Sequence, residues 1–121
     1  MKKAKLSRSL AIAWFILTTI LLCLPGSVLP KENWFDKIWL DKWVHIGLFS
    51  TMTVLLCWTI RERKGKKIML FVRVAFYCLL YGIAMEFVQK YFIPNRSFDV
   101  KDILADAVGC SLGLVVSLRL L

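Results

Sequence analysis

Hydrophobic and polar positions fall in blocks along this chain. A first apolar run covers 10–24, can be extended to Leu29, and is closed by Pro25 and Gly26. A second covers 43–60, with no acid and one histidine, and stops at the basic stretch Arg61-Glu62-Arg63-Lys64-Gly65-Lys66-Lys67. A third covers 68–88 and carries only Arg73 and Glu86; a fourth covers 103–118 and carries only Asp106. A helix needs roughly 20 predominantly apolar residues to cross the hydrocarbon core, about 17 at the least. The middle two runs meet that length, and the outer two meet it with their flanks. None of the four alternates apolar with polar residues, and a spanning barrel needs many more segments, so strands are a poor reading. The pattern predicts an all-α, polytopic membrane protein: one domain forming a four-transmembrane-helix bundle, with helices near 9–28, 41–60, 68–92 and 99–119.

Composition agrees. Of 121 residues, 59% are hydrophobic and the mean hydropathy is +0.66, above the usual soluble domain. The N-terminal lysines followed by an apolar run resemble a signal peptide, but no small-x-small cleavage site follows, so a retained first helix is expected. The net charge of +9 is clustered, and the clusters orient the chain. Lys2, Lys3, Lys5 and Arg8 precede the first helix, and five basic residues join the second to the third. Both segments should be cytoplasmic, which places both termini inside and the other two loops outside. The basic clusters hold topology and touch anionic lipid headgroups. Nucleic-acid binding is excluded, because no basic folded surface remains outside the membrane segments.

This topology gathers the unusual residues at one level. Asp41, Lys42 and His45 fall in the first turns of the second helix. Glu86 and Gln89 fall in the last turns of the third. Asp99, Asp102 and Asp106 fall in the first turns of the fourth, after Arg96 and Ser97. Asp41 and His45 are four apart, Glu86 and Gln89 three, and the three aspartates three and four, so each set shares a helix face. Five of the eight acids in the chain lie in this zone. Charge at the bilayer centre costs about 2.5–3.5 kcal/mol per residue on insertion scales. Glu86 and Asp106 should therefore turn inward, to pair with Arg96, Lys42 or His45 or to line a wet cavity.

Duller roles stand beside this one. Ser97, Asp99 or Asp41 can cap a helix, Arg96 can pair with a neighbouring aspartate to fix a loop, and a lone histidine is often a packing residue. Taken together, the residues point to a functional polar pocket. His45 with Glu86 or Asp102 would supply acid–base chemistry. Asp41, Lys42, Gln89, Arg96, Ser97, Asp99 and Asp106 would bind. A divalent cation held by His45, Glu86, Asp102 and Asp106 is a weaker alternative; no metal or other cofactor is expected. Ala105, Gly109 and Gly113, four apart, make a small-xxx-small face, suited to close packing within the chain or to homo-oligomerisation. The four cysteines lie in apolar segments without a C-x-x-C pair and read as packing thiols. Four helices without an evident inverted repeat leave little room for a transporter.

These residues also form an ordered set of motifs. Asp41-Lys42-Trp43-Val44-His45, followed by Phe49, resembles the D-K-x-x-H-x-x-x-F/Y signature of the VanZ-like family. Glu86-Phe87-Val88-Gln89 resembles its E-x-x-Q, and Arg96 through Asp102 its R-x-x-x-x-x-D. Asp102-Ile103-Leu104-Ala105-Asp106, with Gly109 and Gly113, is similar to its closing D-x-x-x-N-x-x-G-x-x-x-G. Asp106 stands where asparagine is usual. The resemblance implies a multi-pass protein of the cytoplasmic (inner) membrane of a bacterium. The family is named for a protein giving low-level resistance to the glycopeptide teicoplanin; the cations and carboxylates gathered at one membrane depth suggest a lipid-linked or phosphate-bearing cell-envelope component as partner. A non-catalytic scaffold or partner-binding module, its polar cluster purely structural, is the alternative.

Overall fold

A computed structural model describes residues 2–24, 40–93, 98 and 100–121 of the chain. Four helices account for nearly all of them: α1 (Lys2–Leu22), α2 (Leu40–Ile60), α3 (Lys67–Phe92) and α4 (Val100–Leu120). No proline falls within these four described helices, as expected of a residue that removes an amide donor and clashes with the preceding turn. Ile93, just before Pro94, is extended at φ −107° and ends α3; a following proline disfavours helical backbone. In the α2–α3 turn Gly65 has φ +122°, a conformation that a residue with a Cβ rarely adopts.

Helix α1 starts before the expected residue 9 and ends before the expected 28. At its start Lys, Ala, Leu and Arg are all good helix formers, whether or not they are apolar. At its end the chain turns at Cys23 and Leu24, immediately before Pro25. The other three helices begin and end within one residue of expectation.

Each helix is long and apolar enough to cross a membrane; at ~1.5 Å per residue, 21 residues reach about 31 Å. Large apolar side chains such as Ile12, Ile16, Phe76, Leu80, Leu112 and Val115 point outward. A surface of this kind requires a lipid environment or a partner. The inward seams are narrow. On α3 the seam is Phe71, Ala75, Cys78, Gly82, Met85, Glu86 and Gln89. On α4 it is Asp102, Ala105, Asp106, Gly109, Cys110, Gly113 and Ser117. Both recur at spacings of three and four, the period of one helix face.

Helix α2 touches the other three, and α3 also packs on α4. The α2–α4 approach is close. A Cβ on Gly109 would lie 2.6 Å from the Ile46 carbonyl oxygen, and one on Gly113 the same distance from that of Ser50. The small-residue face is thus covered by α2 of the same chain. Phe49, Met52 and Cys57 of α2 and Phe71 of α3 are fully buried. The cysteines are free thiols, and Cys57, Cys78 and Cys110 are buried. Helix α1 joins through Trp14, whose Nε1 donates to the Leu48 carbonyl at 2.9 Å, and through Thr19, whose hydroxyl meets that of Tyr81 at 2.5 Å. Arg73 is exposed, where its long stem lets the guanidinium reach the interface.

Candidate functional site

The polar residues of α2, α3 and α4 are built on the same seams that pack the helices. His45 precedes Phe49 by one turn of α2, and the two rings are parallel, their planes 2° apart with centroids at 6.4 Å. Phe49 is fully buried, so it forms an apolar floor beneath the imidazole. Asp102 and Asp106 lie one turn apart on α4, directly above Gly109. Because the glycine lets α4 approach the α2 backbone, both carboxylates come within reach of α2 side chains.

The imidazole lies between two carboxylates. Its Nδ1 is 2.7 Å from Asp106 Oδ1, a hydrogen bond. Its Nε2 faces Asp102 Oδ2 at 3.8 Å, an ion-pair distance beyond hydrogen-bond range. Lys42 Nζ donates to the other oxygen of Asp102, Oδ1, at 2.5 Å. The order is therefore Lys42, Asp102, His45, Asp106, running from the end of α2 inward. His45 is 6% exposed, while Glu86 and Asp106 are each 1% exposed. Glu86 is buried on α3 one turn after Gly82, which itself lies against Asp106, so α3 borders the same cluster.

One oxygen is left over. Asp106 Oδ2 is buried without a hydrogen-bond partner. It lies against α3 at Gly82, where a Cβ would come within 2.6 Å of it. Gly82 thus makes room for the carboxyl group, a role the motif reading missed. The available signal was its position on the Glu86 face, one turn earlier, inside an apolar run. An unsatisfied buried acceptor costs about 1–3 kcal/mol, so pairing within the cluster is incomplete at this atom.

Gln89 is drawn elsewhere. It is buried, and its Nε2 donates to the Leu22 carbonyl at the end of α1, at 2.7 Å. A terminal helix carbonyl has no partner within its own helix, and Gln89 supplies one. Gln89 therefore ties α3 to α1, a helix without any motif. Arg96, Ser97 and Asp99 lie outside the described residues, as does the side chain of Asp41. Among the described residues no three His, Cys, Asp or Glu side chains are arranged to hold a metal ion, so the divalent-cation alternative has no geometric support there.

The arrangement can hold a proton and orient it. When Nδ1–H is donated to Asp106, the lone pair of His45 resides on Nε2, on the Lys42–Asp102 side. A carboxylate that fixes the tautomer of an imidazole in this way is a recurrent device for positioning a base.

Comparison with known proteins gives a family and no assigned chemistry. An uncharacterized protein of the fission yeast Schizosaccharomyces pombe is 33% identical over 79 residues, covering 64% of this chain and 46% of the relative. The chain thus spans about half the length of that relative, which comes from a eukaryote. No solved structure matches. The VanZ/LLP1 family matches over residues 8–121, nearly the whole chain, and with the ordered motifs on three apolar helices this protein belongs to the VanZ/LLP1 family.

Proposed function

We propose that this VanZ-family protein binds an anionic, lipid-linked component of the cell envelope at its polar cluster, with His45 as the acid–base group. In this reading it resides in the cytoplasmic membrane of a bacterium, with both termini inside and the cluster at the outer leaflet. Lys42 and Arg96 attract the headgroup, Arg96 through its planar fork. Asp41, Ser97 and Asp99 shape the surroundings, and Glu86, Asp102 and Asp106 set the charge around the imidazole. Glycopeptide tolerance would be one consequence of engaging such a component.

The observation that carries this reading is His45 held between Asp102 and Asp106, among apolar spans, with one Asp106 oxygen unsatisfied. Interhelical hydrogen bonds in membrane proteins contribute only about 0.6 kcal/mol on average. Charged groups in spanning helices are costly and are characteristic of functional sites. A purely structural staple would not require this many carboxylates. The test is a comparison of His45→Ala and Arg96→Ala with wild type in cells challenged with teicoplanin or with envelope stress. Reduced tolerance at unchanged membrane abundance is expected for both. Wild-type behaviour of two stably expressed variants would end the proposal.

A second reading has an observation of its own. Lys42 pairs with Asp102, His45 with Asp106 and Gln89 with the Leu22 carbonyl, a pattern that also suits a non-catalytic scaffold. That reading expects the same substitutions to lower thermal stability in detergent and folded abundance, with no separate change in activity.

A further inference from the structure

At the opposite end of the helices a different feature lies unused by the cluster. A crevice of about 310 Å³ opens between α1, α2 and α3, lined by Phe15, Met52, Leu56, Ile60, Val74 and Tyr81 among others. Helices α1 and α3 are joined at its inner end, where the Phe15 and Tyr81 rings lie 4.9 Å apart and the Thr19 and Tyr81 hydroxyls meet. From Met52 to Ile60 the crevice follows α2 for about 12 Å at ~1.5 Å per residue. It reaches Ile60, the last residue of α2, and the basic turn begins at the next residue. The Arg63 amide donates to the Ile60 carbonyl at 3.0 Å, which keeps the start of that turn close to the last residue lining the crevice. Arg63, Lys64 and Lys66 are exposed, and Arg61 is half-buried.

A long apolar slot on a lipid-facing surface, ending at a cluster of cations, matches a molecule with an alkyl chain and an anionic head. We propose that the crevice seats one acyl chain of an anionic glycerophospholipid, whose phosphate is held by the exposed cations Arg63, Lys64 and Lys66. Charge complementarity selects the lipid class, since a zwitterionic headgroup gains much less from this turn. A basic residue near an anionic lipid surface contributes about 1 kcal/mol, or about fivefold in affinity. The site is separate from the His45 cluster and does not depend on its role.

The experiment is native mass spectrometry of the full chain after incubation with equimolar phosphatidylglycerol and phosphatidylcholine of identical acyl chains. Wild type should retain one phosphatidylglycerol in more than about tenfold preference. Arg63→Gln and Lys64→Gln should each lower that preference about fivefold. Val74→Trp and Leu56→Trp, which fill the slot, should lose the retained lipid while remaining helical and monodisperse. Equal retention of the two lipids by wild type, a comparison that needs no variant, would overturn the proposal. So would a folded slot-filling variant that keeps phosphatidylglycerol as wild type does. A wild-type dimer that either tryptophan variant splits would assign the crevice to a second copy and overturn it as well.

Discussion

Helix α4 packs against α2 along a single face, yet the two halves of that face use opposite chemistry. Toward the C-terminus, Gly109 and Gly113 carry no side chain and let the α2 backbone approach to contact distance. Toward the N-terminus, Asp102 and Asp106 reach across to Lys42 and His45. One half is held by the absence of atoms and the other by their presence. The two depend on each other, because the carboxylates meet α2 only where the glycines have brought the helices together. A membrane interior favours this division: with no hydrophobic force between helices, close packing supplies the adhesion and polar pairs add little to it. The polar half is therefore expected to be less important for stability than the glycine half, and the substitutions below test that ranking.

The largest effect should come from the glycines. Gly109→Ala and Gly113→Ala each place a methyl 2.6 Å from a backbone carbonyl oxygen of α2, and a backbone cannot step aside as a side chain can. Overpacking costs about 1–3 kcal/mol, and both variants should lie at the upper end. Thermal unfolding in detergent reads this directly. If either variant matches wild type, α4 and α2 are not as close as described, and the comparison between the two halves collapses.

Much of this was legible beforehand, for identifiable reasons. Block hydropathy fixes α2, α3 and α4 to within one residue, because apolar length is what a bilayer demands. It misplaced α1, since hydropathy is blind to the good helix formers Lys3, Ala4 and Lys5 that lie ahead of the apolar run. The meeting of His45 with Asp102 and Asp106 followed from counting residues along successive apolar runs. The partner of Gln89 did not, because a backbone carbonyl of α1 leaves no mark on sequence. Nor did Gly82, whose meaning lies in the Asp106 oxygen opposite it rather than in any spacing of its own.

Gly82→Ala links the halves and should have the next largest effect. The added methyl would lie 2.6 Å from Asp106 Oδ2 and 3.1 Å from the Phe49 ring. A rotating carboxyl group can give way where a backbone cannot, so about 1–2 kcal/mol is expected, within the overpacking range. The variant should be non-additive with Asp106→Ala, because the second change removes the atom that the first one strikes. Additive losses in the double mutant would mean that Gly82 and Asp106 are not in contact.

Gly47→Ala probes the outward side of α2. Gly47 is exposed, and a Cβ there meets nothing within 4 Å. Replacing a mid-helix glycine should stabilise by about 0.5–1 kcal/mol, since alanine has less backbone freedom to lose. A destabilised Gly47→Ala would show that the outward face of α2 is covered by something, and that glycine position alone does not separate the packed face from the lipid face.

The smallest effect expected is that of Asp106→Asn, which installs the amide usual in the motif. The amide oxygen can still accept from His45 Nδ1, and the side chain fits the same space beside Gly82. The stability change should therefore stay within about 0.6 kcal/mol, the typical value of an interhelical hydrogen bond in a membrane protein. This near-silence makes the variant useful. With the fold intact and the charge gone, any loss of tolerance in the cell-based comparison belongs to the Asp106 carboxylate and its hold on the imidazole. A loss of 2 kcal/mol or more would instead show that the charge itself holds α2 to α4, and the polar half would rank with the glycine half as a structural element.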